Sequence, residues 1–351
     1  MSELLLEEKR GLLDEHSAHL QRLMPRENGK VSLGSRFHMT LEQAQHGNSI
    51  AQYNVGVMYR NGDGIRKNTA EALKWFVKAG KQGVAEALYN LAVMYEHGEG
   101  IGQDCDSAVE YYFEAAHLGC PPAQFTVGYM YEAGRGVPQN ESKALHWYLK
   151  SAEQGFANAC VNLGIMNIQG RGGPRNVDEA ERWLSVAAEQ GDAFAQYNLG
   201  ILFGQEKSNP DQEAKWTLMA ADQGLVEAQF AIAEMFRNGT GLAQNQEEAA
   251  AWYKKAADHG HRHAQFNMAL CYLRGLGVTE DAQAAFTYFM NAAEQGDRIA
   301  QRNVAAMLET GLGIAQDKQL ALEWYEKAAH QGDAIAREKI DSDDKQPRPL
   351  T

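Results

Sequence analysis

Nine alanines, Ala51, Ala87, Ala123, Ala159, Ala195, Ala228, Ala264, Ala300 and Ala336, recur at steps of 36 residues, with one step of 33 between Ala195 and Ala228. All six tryptophans, Trp75, Trp147, Trp183, Trp216, Trp252 and Trp324, share one register, 24 residues after the alanine in the full-length units. A period of roughly 20–50 residues marks a solenoid, whose units bury their apolar faces only by stacking on one another. The chain is therefore predicted to be all-α, a stack of eight like units. Such stacks offer long surfaces for binding and need no closed catalytic pocket.

The unit that begins at Ala87 shows the physics. Ala87, Leu91, Met94 and Tyr95 lie at helical spacing, one face of an α-helix. The run Gly98-Glu99-Gly100-Ile101 then stops that helix, because glycine accepts the left-handed conformation of a helix C-terminus. Ala108, Tyr111, Tyr112, Ala115 and Ala116 form a second stripe, with Asp104 and Asp106 as cap candidates. Each unit is thus a helical hairpin. The anchor alanine and the alanines of the second helix (Ala72, Ala79, Ala144, Ala152, Ala249, Ala256) permit close approach, and the tryptophan register, filled by Tyr111 and Tyr288 in two units, reads as core. Seven Gly-x-Gly pairs, from Gly62/Gly64 to Gly311/Gly313, each follow a helix; they are connectors and not phosphate loops. An apolar residue after most pairs is expected to tuck against the hairpin. The fifth unit reads GQEKSNPDQE between Phe203 and Ala214, three residues short and without the glycine pair, which should alter the local tilt.

Bulk composition narrows the function classes. With 33 basic and 46 acidic residues the formal charge is -13. That disfavours nucleic acid, whose binding rests on cationic neutralisation of phosphate, and anionic membrane. The N-terminus carries Leu4, Leu5 and Leu6 but acids follow at once, unlike a signal peptide; no run approaches the roughly 20 apolar residues of a membrane span. Cys105, Cys120, Cys160 and Cys271 occupy different positions in their units, so they read as unpaired thiols in the reducing cytoplasm.

The motifs AQYNLG at 195–200, GRGV at 134–137, KALHWYLKSAEQG at 143–155 and EWYEKAAHQG at 323–332 resemble the Sel1-like repeat family, relatives of tetratricopeptide repeats. The resemblance covers about 51–336. It implies a right-handed α-α superhelix of about eight helix-turn-helix repeats, with the first helix of each unit lining a concave groove, and an adaptor or scaffold role, as in bacterial cytoplasmic members. A secreted, cysteine-rich branch pairs a cysteine in each repeat; here Cys160 faces Ala152 at the partner position, which argues against that branch.

If the first helix lines the groove as in the relatives, the third and fourth residues of each unit, counted from the anchor alanine, and the off-pattern Tyr129 supply the contacts. The expected partner-binding residues are Tyr53, Asn54, Tyr89, Asn90, Phe125, Tyr129, Asn162, Tyr197, Asn198, Phe230, Phe266 and Asn267, carboxamides and aromatics able to grip an extended peptide. The competing reading is packing between neighbouring helices. Off-pattern residues on the same face, Arg60, Glu96, Glu132, Tyr129, Glu234, Arg237, Arg274 and Arg302, are candidates for specificity. His259, His261 and His263 alternate in DHGHRHA, a spacing that could ligate zinc or nickel if extended; their place at a helix junction favours a capping role, so no metal site is assigned. No catalytic set stands out, and no cofactor is implied.

The ends depart from the ruler. Residues 1–32 read as an amphipathic helical segment, 33–50 as a capping half-repeat, and 337–351 as a charged, disordered tail. The expected function is a non-enzymatic adaptor binding a protein or peptide in its groove. The alternatives are an immunity protein neutralising a bacterial toxin, then an enzyme or small-molecule binder; the sequence sets no oligomeric state.

Overall fold

The computed structural model describes residues 32–343. Every regular element among them is an α-helix. Two compact units meet within one helix, the first ending at Trp183 and the second beginning at Leu184. The first contains α1 (Leu33–Gln45), α2 (Ser49–Asn61), α3 (Thr69–Gly80), α4 (Ala85–His97), α5 (Cys105–His117), α6 (Pro121–Ala133), α7 (Glu141–Ala152) and α8 (Ala157–Gln169). After α9 (Val177–Glu189), which carries the boundary, the second contains α10 (Ala193–Gln205), α11 (Pro210–Asp222), α12 (Val226–Asn238), α13 (Gln246–Asp258), α14 (Arg262–Arg274), α15 (Ala282–Glu294), α16 (Arg298–Thr310), α17 (Lys318–His330) and α18 (Ala334–Asp343). From α2 onward the even-numbered helices open the repeats (A helices) and the odd-numbered ones close them (B helices).

Local chemistry fixes these boundaries. B helices start on side-chain caps: the Asp104 carboxylate accepts from the Asp106 and Ser107 amides, and Asn140 accepts from Lys143 N. These bonds satisfy amides that have no intrahelical acceptor. Of the two acids expected to cap α5, Asp104 does so and Asp106 sits in the first turn. Most A helices end on the first glycine of the Gly-x-Gly pair, as Gly98 does at φ +70°. The connector then closes on the A helix, with Asp104 N donating to Tyr95 O at 2.9 Å and Asn245 N to Phe236 O at 2.9 Å. The short fifth connector closes too, Asn209 N donating to Phe203 O at 2.9 Å, but it needs Ser208 at φ +49°.

The second glycine of the pair has a packing role. At Gly277 an added Cβ would lie 2.0 Å from the carbonyl oxygen of Gln246, the first residue of the preceding B helix. Only a bare Cα lets the two backbones approach so closely. Leu33 O stands in the same way over Gly64, so α1 occupies the place of a B helix in a half-repeat.

The anchor alanines are all buried, and Trp75, Trp147, Trp183, Trp252 and Trp324 are at most 8% exposed. Trp216 differs: in the short fifth repeat it is half-buried. Lys78, Lys150, Lys255 and Lys327, three residues after their tryptophans, lie 3.4–4.8 Å from the ring centroids. The apolar residues after the glycine pairs, such as Val137, Leu242 and Val278, pack against the cores as expected, whereas Ile314 is exposed. At the C-terminal end, α18 continues to Asp343, past the boundary drawn at 336. The amphipathic segment expected at the N-terminus and the last eight residues of the tail lie outside the described residues.

Candidate partner-binding face

In five repeats the aromatic residue two positions after the anchor alanine packs first against its own B helix. Tyr53 meets Phe76 at 5.9 Å between ring centroids, Tyr89 meets Tyr112 at 5.7 Å, and Phe125 meets both Tyr148 and Phe156 at 5.5 Å. Phe230 and Phe266 repeat the contact with Tyr253 and Phe289. Tyr53, Tyr89 and Asn90 are buried, at 5%, 8% and 6% exposure. Burial, ahead of nearby charge, pushes both phenols far above their ordinary pKa. Asn54, Phe125, Tyr129 and Asn162 in the first unit are half-buried, as are Tyr197, Asn198, Phe230, Phe266 and Asn267 in the second.

Several carboxamides are already engaged. Asn90 Nδ2 donates to Glu86 O at 2.8 Å while its Oδ1 accepts from Arg60 at 2.8 Å. Asn198 Nδ2 donates to Phe194 O at 2.8 Å, and Asn267 Nδ2 to Glu234 at 2.9 Å. An amide has four hydrogen-bonding positions, so these contacts leave capacity but fix orientation.

The off-pattern charges join the helices to one another. Where the residue after the tryptophan register is tyrosine, the A helix supplies a glutamate. Tyr112 Oη donates to Glu96 at 2.6 Å, Tyr148 to Glu132 at 2.6 Å, Tyr325 to Glu309 at 2.8 Å, and Tyr253 to Glu234. A cation completes each seam: Arg135 on Glu96 at 3.1 Å, Arg171 on Glu132 at 2.8 Å, Lys339 on Glu309 at 2.9 Å, and Arg237 on Glu234. Burial opposes charge on Glu309, yet bonds from Lys339 and Tyr325 hold its carboxyl below the ordinary value. Arg60 pairs with Glu99 at 2.9 Å and Arg302 with Asp333 at 3.1 Å, while Arg274 is exposed.

A second inter-repeat device escaped the sequence reading. Gln52, Gln124, Gln196, Gln229, Gln265 and Gln301 are all buried. Each Nε2 donates back to a B-helix carbonyl eight residues earlier, as Gln124 does to Ala116 O at 3.2 Å. In five of them Oε1 accepts from a glutamine at the end of the next B helix, for example from Gln154 at 2.8 Å. The Ala-Gln dipeptide at the anchor was the available signal. In the sixth repeat His259 stands where the others have the donor glutamine, and Gln229 Oε1 is left without a partner.

The three histidines have separate roles. His259 Nδ1 bonds Lys255 O at 2.8 Å, and His261 caps α14, its Nδ1 accepting from Ala264 N at 3.1 Å while its ring stacks on Phe230 at 4.5 Å. His263 is exposed. No group of three or more His, Cys, Asp or Glu side chains among the described residues is placed to hold a metal ion. None of the four cysteines is in a disulfide; burial raises the Cys120 thiol to about 12 and that of Cys271 to about 11. Among the described residues no helix is long and apolar enough to cross a membrane.

Helical hairpins joined by glycine connectors, buried glutamines and tyrosine–glutamate–cation seams define an all-α solenoid repeat protein. This chain belongs to the Sel1 repeat family: the family model matches eight consecutive segments, 49–84, 85–120, 121–156, 157–192, 193–225, 226–261, 262–297 and 298–333. It is similar to c5321, a protective antigen of uropathogenic Escherichia coli displaying an SLR fold, at 31% identity and a TM-score of 0.81. That match covers 87% of this chain and 66% of the antigen, which is the longer protein. A Sel1 repeat protein from Oxalobacter formigenes matches at 28% identity and a TM-score of 0.65, covering 92% of this chain and 99% of that one. Immunity protein Pa5087 of Pseudomonas aeruginosa matches at 18% identity with a TM-score of 0.30, too low for any inference. No curated protein matches the chain. Sel1 repeat proteins generally mediate protein–protein interaction, and the fold is a non-enzymatic scaffold.

Proposed function

We propose that this chain is a non-enzymatic adaptor that holds a partner protein or peptide against the open side of its A helices. The observation that carries this reading is the row of half-buried Asn54, Phe125, Tyr129 and Asn162 in the first unit. These groups stand on helices whose ends are closed by capping bonds or glycine turns. Such preorganisation lowers the ordering cost of association. The second unit offers Tyr197, Asn198, Phe230, Phe266 and Asn267 in the same register. The four cysteines, none in a disulfide and three of them buried, support work in the cytoplasm, where thiols stay reduced.

The test must spare the packing. Tyr89 and Asn90 are buried, and Phe125 supports Tyr148 and Phe156, so their loss would confound folding with binding. Replacing Tyr129 and Asn162 together by alanine in the full chain should reduce capture of the cognate partner at least tenfold, about 1.4 kcal/mol, with helicity unchanged. Cross-linking mass spectrometry on the native complex identifies the partner. Wild-type capture by the double variant, with cross-links elsewhere, would remove this face from the binding surface.

A further inference from the structure

The N-terminal end of the stack presents an apolar face that nothing among the described residues covers. There α1 stands as a B helix without an A helix of its own. Leu33 O lies over Gly64 as Gln246 O and Ala282 O lie over Gly277 and Gly313, which aligns α1 with the other B helices residue by residue. Met39 then falls in the tryptophan register, six residues after Leu33, as Trp252 is six after Gln246. Trp252 is 6% exposed, whereas Met39 is 59% exposed. Leu33 and Ile50, at the starts of α1 and α2, are 60% and 58% exposed; no other Leu, Ile or Met among the described residues reaches these values.

Elsewhere the repeat's own A helix covers this register. Tyr111 and Tyr288 stack on Tyr95 and Tyr272, sixteen residues earlier, at 5.5 and 5.8 Å between centroids. One position further on, the B-helix ring meets a small A-helix residue twenty earlier: Phe76 and Tyr148 each come within 2.7 Å of a Cβ added to Gly56 or Gly128. Counted back from Met39 and Thr40, these steps reach Leu23 and Leu20. The sizes are exchanged, with Leu20 on the A side against Thr40 in place of a glycine against a ring. Met24 likewise takes the register of Glu96 and Glu132, whose tyrosine partners become Thr40. An A helix meets the preceding repeat through positions such as Ala51, Gln52, Val55 and Met58, which pack on or bond to α1. Thirty-six residues earlier these are Glu15, His16, His19 and Arg22, the polar outer face that a terminal helix of a stack requires. The second connector glycine, Gly64, is crowded by the B helix before it; Asn28 in that register fits a helix with none before it.

We propose that residues 13–24, which lie outside the described residues, are the missing A helix and dock on α1, turning Leu20, Leu23 and Met24 to Met39 and Thr40 and the polar positions to water. Pro25 ends the helix. Eight residues, 25–32, then separate it from α1, close to the seven of the connectors at 62–68 and 98–104. Such a tether holds the segment at a roughly millimolar effective concentration that a second copy does not match. The half-repeat at 33–50 thereby becomes part of a ninth hairpin, and the apolar end of the stack is closed by the chain itself. This inference is independent of the partner-binding reading above.

Peroxide footprinting of the full chain reads the contact, because it converts the Met39 thioether to the sulfoxide as solvent reaches it. Met39 should be oxidised about tenfold more slowly in wild type than in Leu20→Ser/Leu23→Ser, since a docked helix must open first. From the other side, the amides of 15–24 should exchange slowly in wild type and freely in Met39→Asp, a change at an exposed position that leaves the described core intact. The outward variant His16→Ser/His19→Ser should match wild type in both measurements, at every protein concentration. Equal oxidation of Met39 in wild type and Leu20→Ser/Leu23→Ser overturns the proposal. Fast oxidation in both leaves the face open to a partner protein, and slow oxidation in both that quickens on dilution assigns it to a second copy. Free exchange of 15–24 in wild type overturns it equally.

Discussion

At the scale of single residues, periodicity sorts positions by role but does not say which atoms meet. The resemblance to Sel1-like repeats implies groove contacts at Tyr53, Tyr89 and Asn90, and all three are buried against their own hairpin or the adjacent helix. Asn54 and Asn162, from the same register, stay half-buried. That difference depends on tertiary neighbours such as Arg60, which reaches Asn90 from thirty residues away. His261 is a second case, because alternating histidines suggest a metal while the geometry makes this one a cap. An accepting Nδ1 requires a neutral ring. Burial first, then His263, lower its pKa from the ordinary 6.5, with Glu227 opposing. The unfolded chain therefore takes up this proton before the folded one does, and the stability present above pH 6.5 is lost as pH falls through and below it. Thermal melts at pH 8 and pH 5.5 should show wild type losing more stability than His261→Asn, which caps without titrating. The difference should be about 1 kcal/mol, the usual worth of an N-cap; equal slopes would exclude His261 as the source.

Helices and connectors were the most legible level, because the 3.6-residue stripe and the glycine stop are local properties of the sequence. The reading of Gly-x-Gly as a connector was correct but incomplete: spacing reveals the turn made by the first glycine and not the neighbour that crowds the second. A pair of substitutions separates these roles. Gly260 and Gly277 both have positive φ, +86° and +72°. Nothing lies within 4 Å of a Cβ built on Gly260, whereas one on Gly277 would sit 2.0 Å from Gln246 O. Gly260→Ala should cost only the left-handed penalty of about 1–2 kcal/mol. Gly277→Ala must also push α13 away, and should cost at least about 2 kcal/mol more, as overpacking usually does. Denaturant melts of the two variants measure the difference; equal costs would mean that the B-helix terminus yields freely and that the close approach contributes no stability.

At the scale of the whole chain, a repeat protein offers an internal control that few folds allow: each site can be compared with seven copies of itself. Against that control the residues that repeat explain architecture, and exceptions such as His259 stand out. The comparison needs contacts as well as sequence, since the Tyr112–Glu96 and Tyr148–Glu132 seams become visible only once Arg135 and Arg171 are seen closing them. The same charges bear on partner class. Most arginines resolved near the A helices are bound to carboxylates of the chain, as Arg60, Arg171 and Arg302 are, and the formal charge is -13. The net field of such a chain repels a polyanion. A fluorescent 25-base-pair duplex should therefore show no anisotropy change with this protein up to tens of micromolar at 50 mM salt. Binding whose affinity falls steeply with added salt would reveal a phosphate-contacting surface and would transfer the partner from protein to nucleic acid. Binding indifferent to salt would instead point to apolar contacts, because counterion release leaves no other signature.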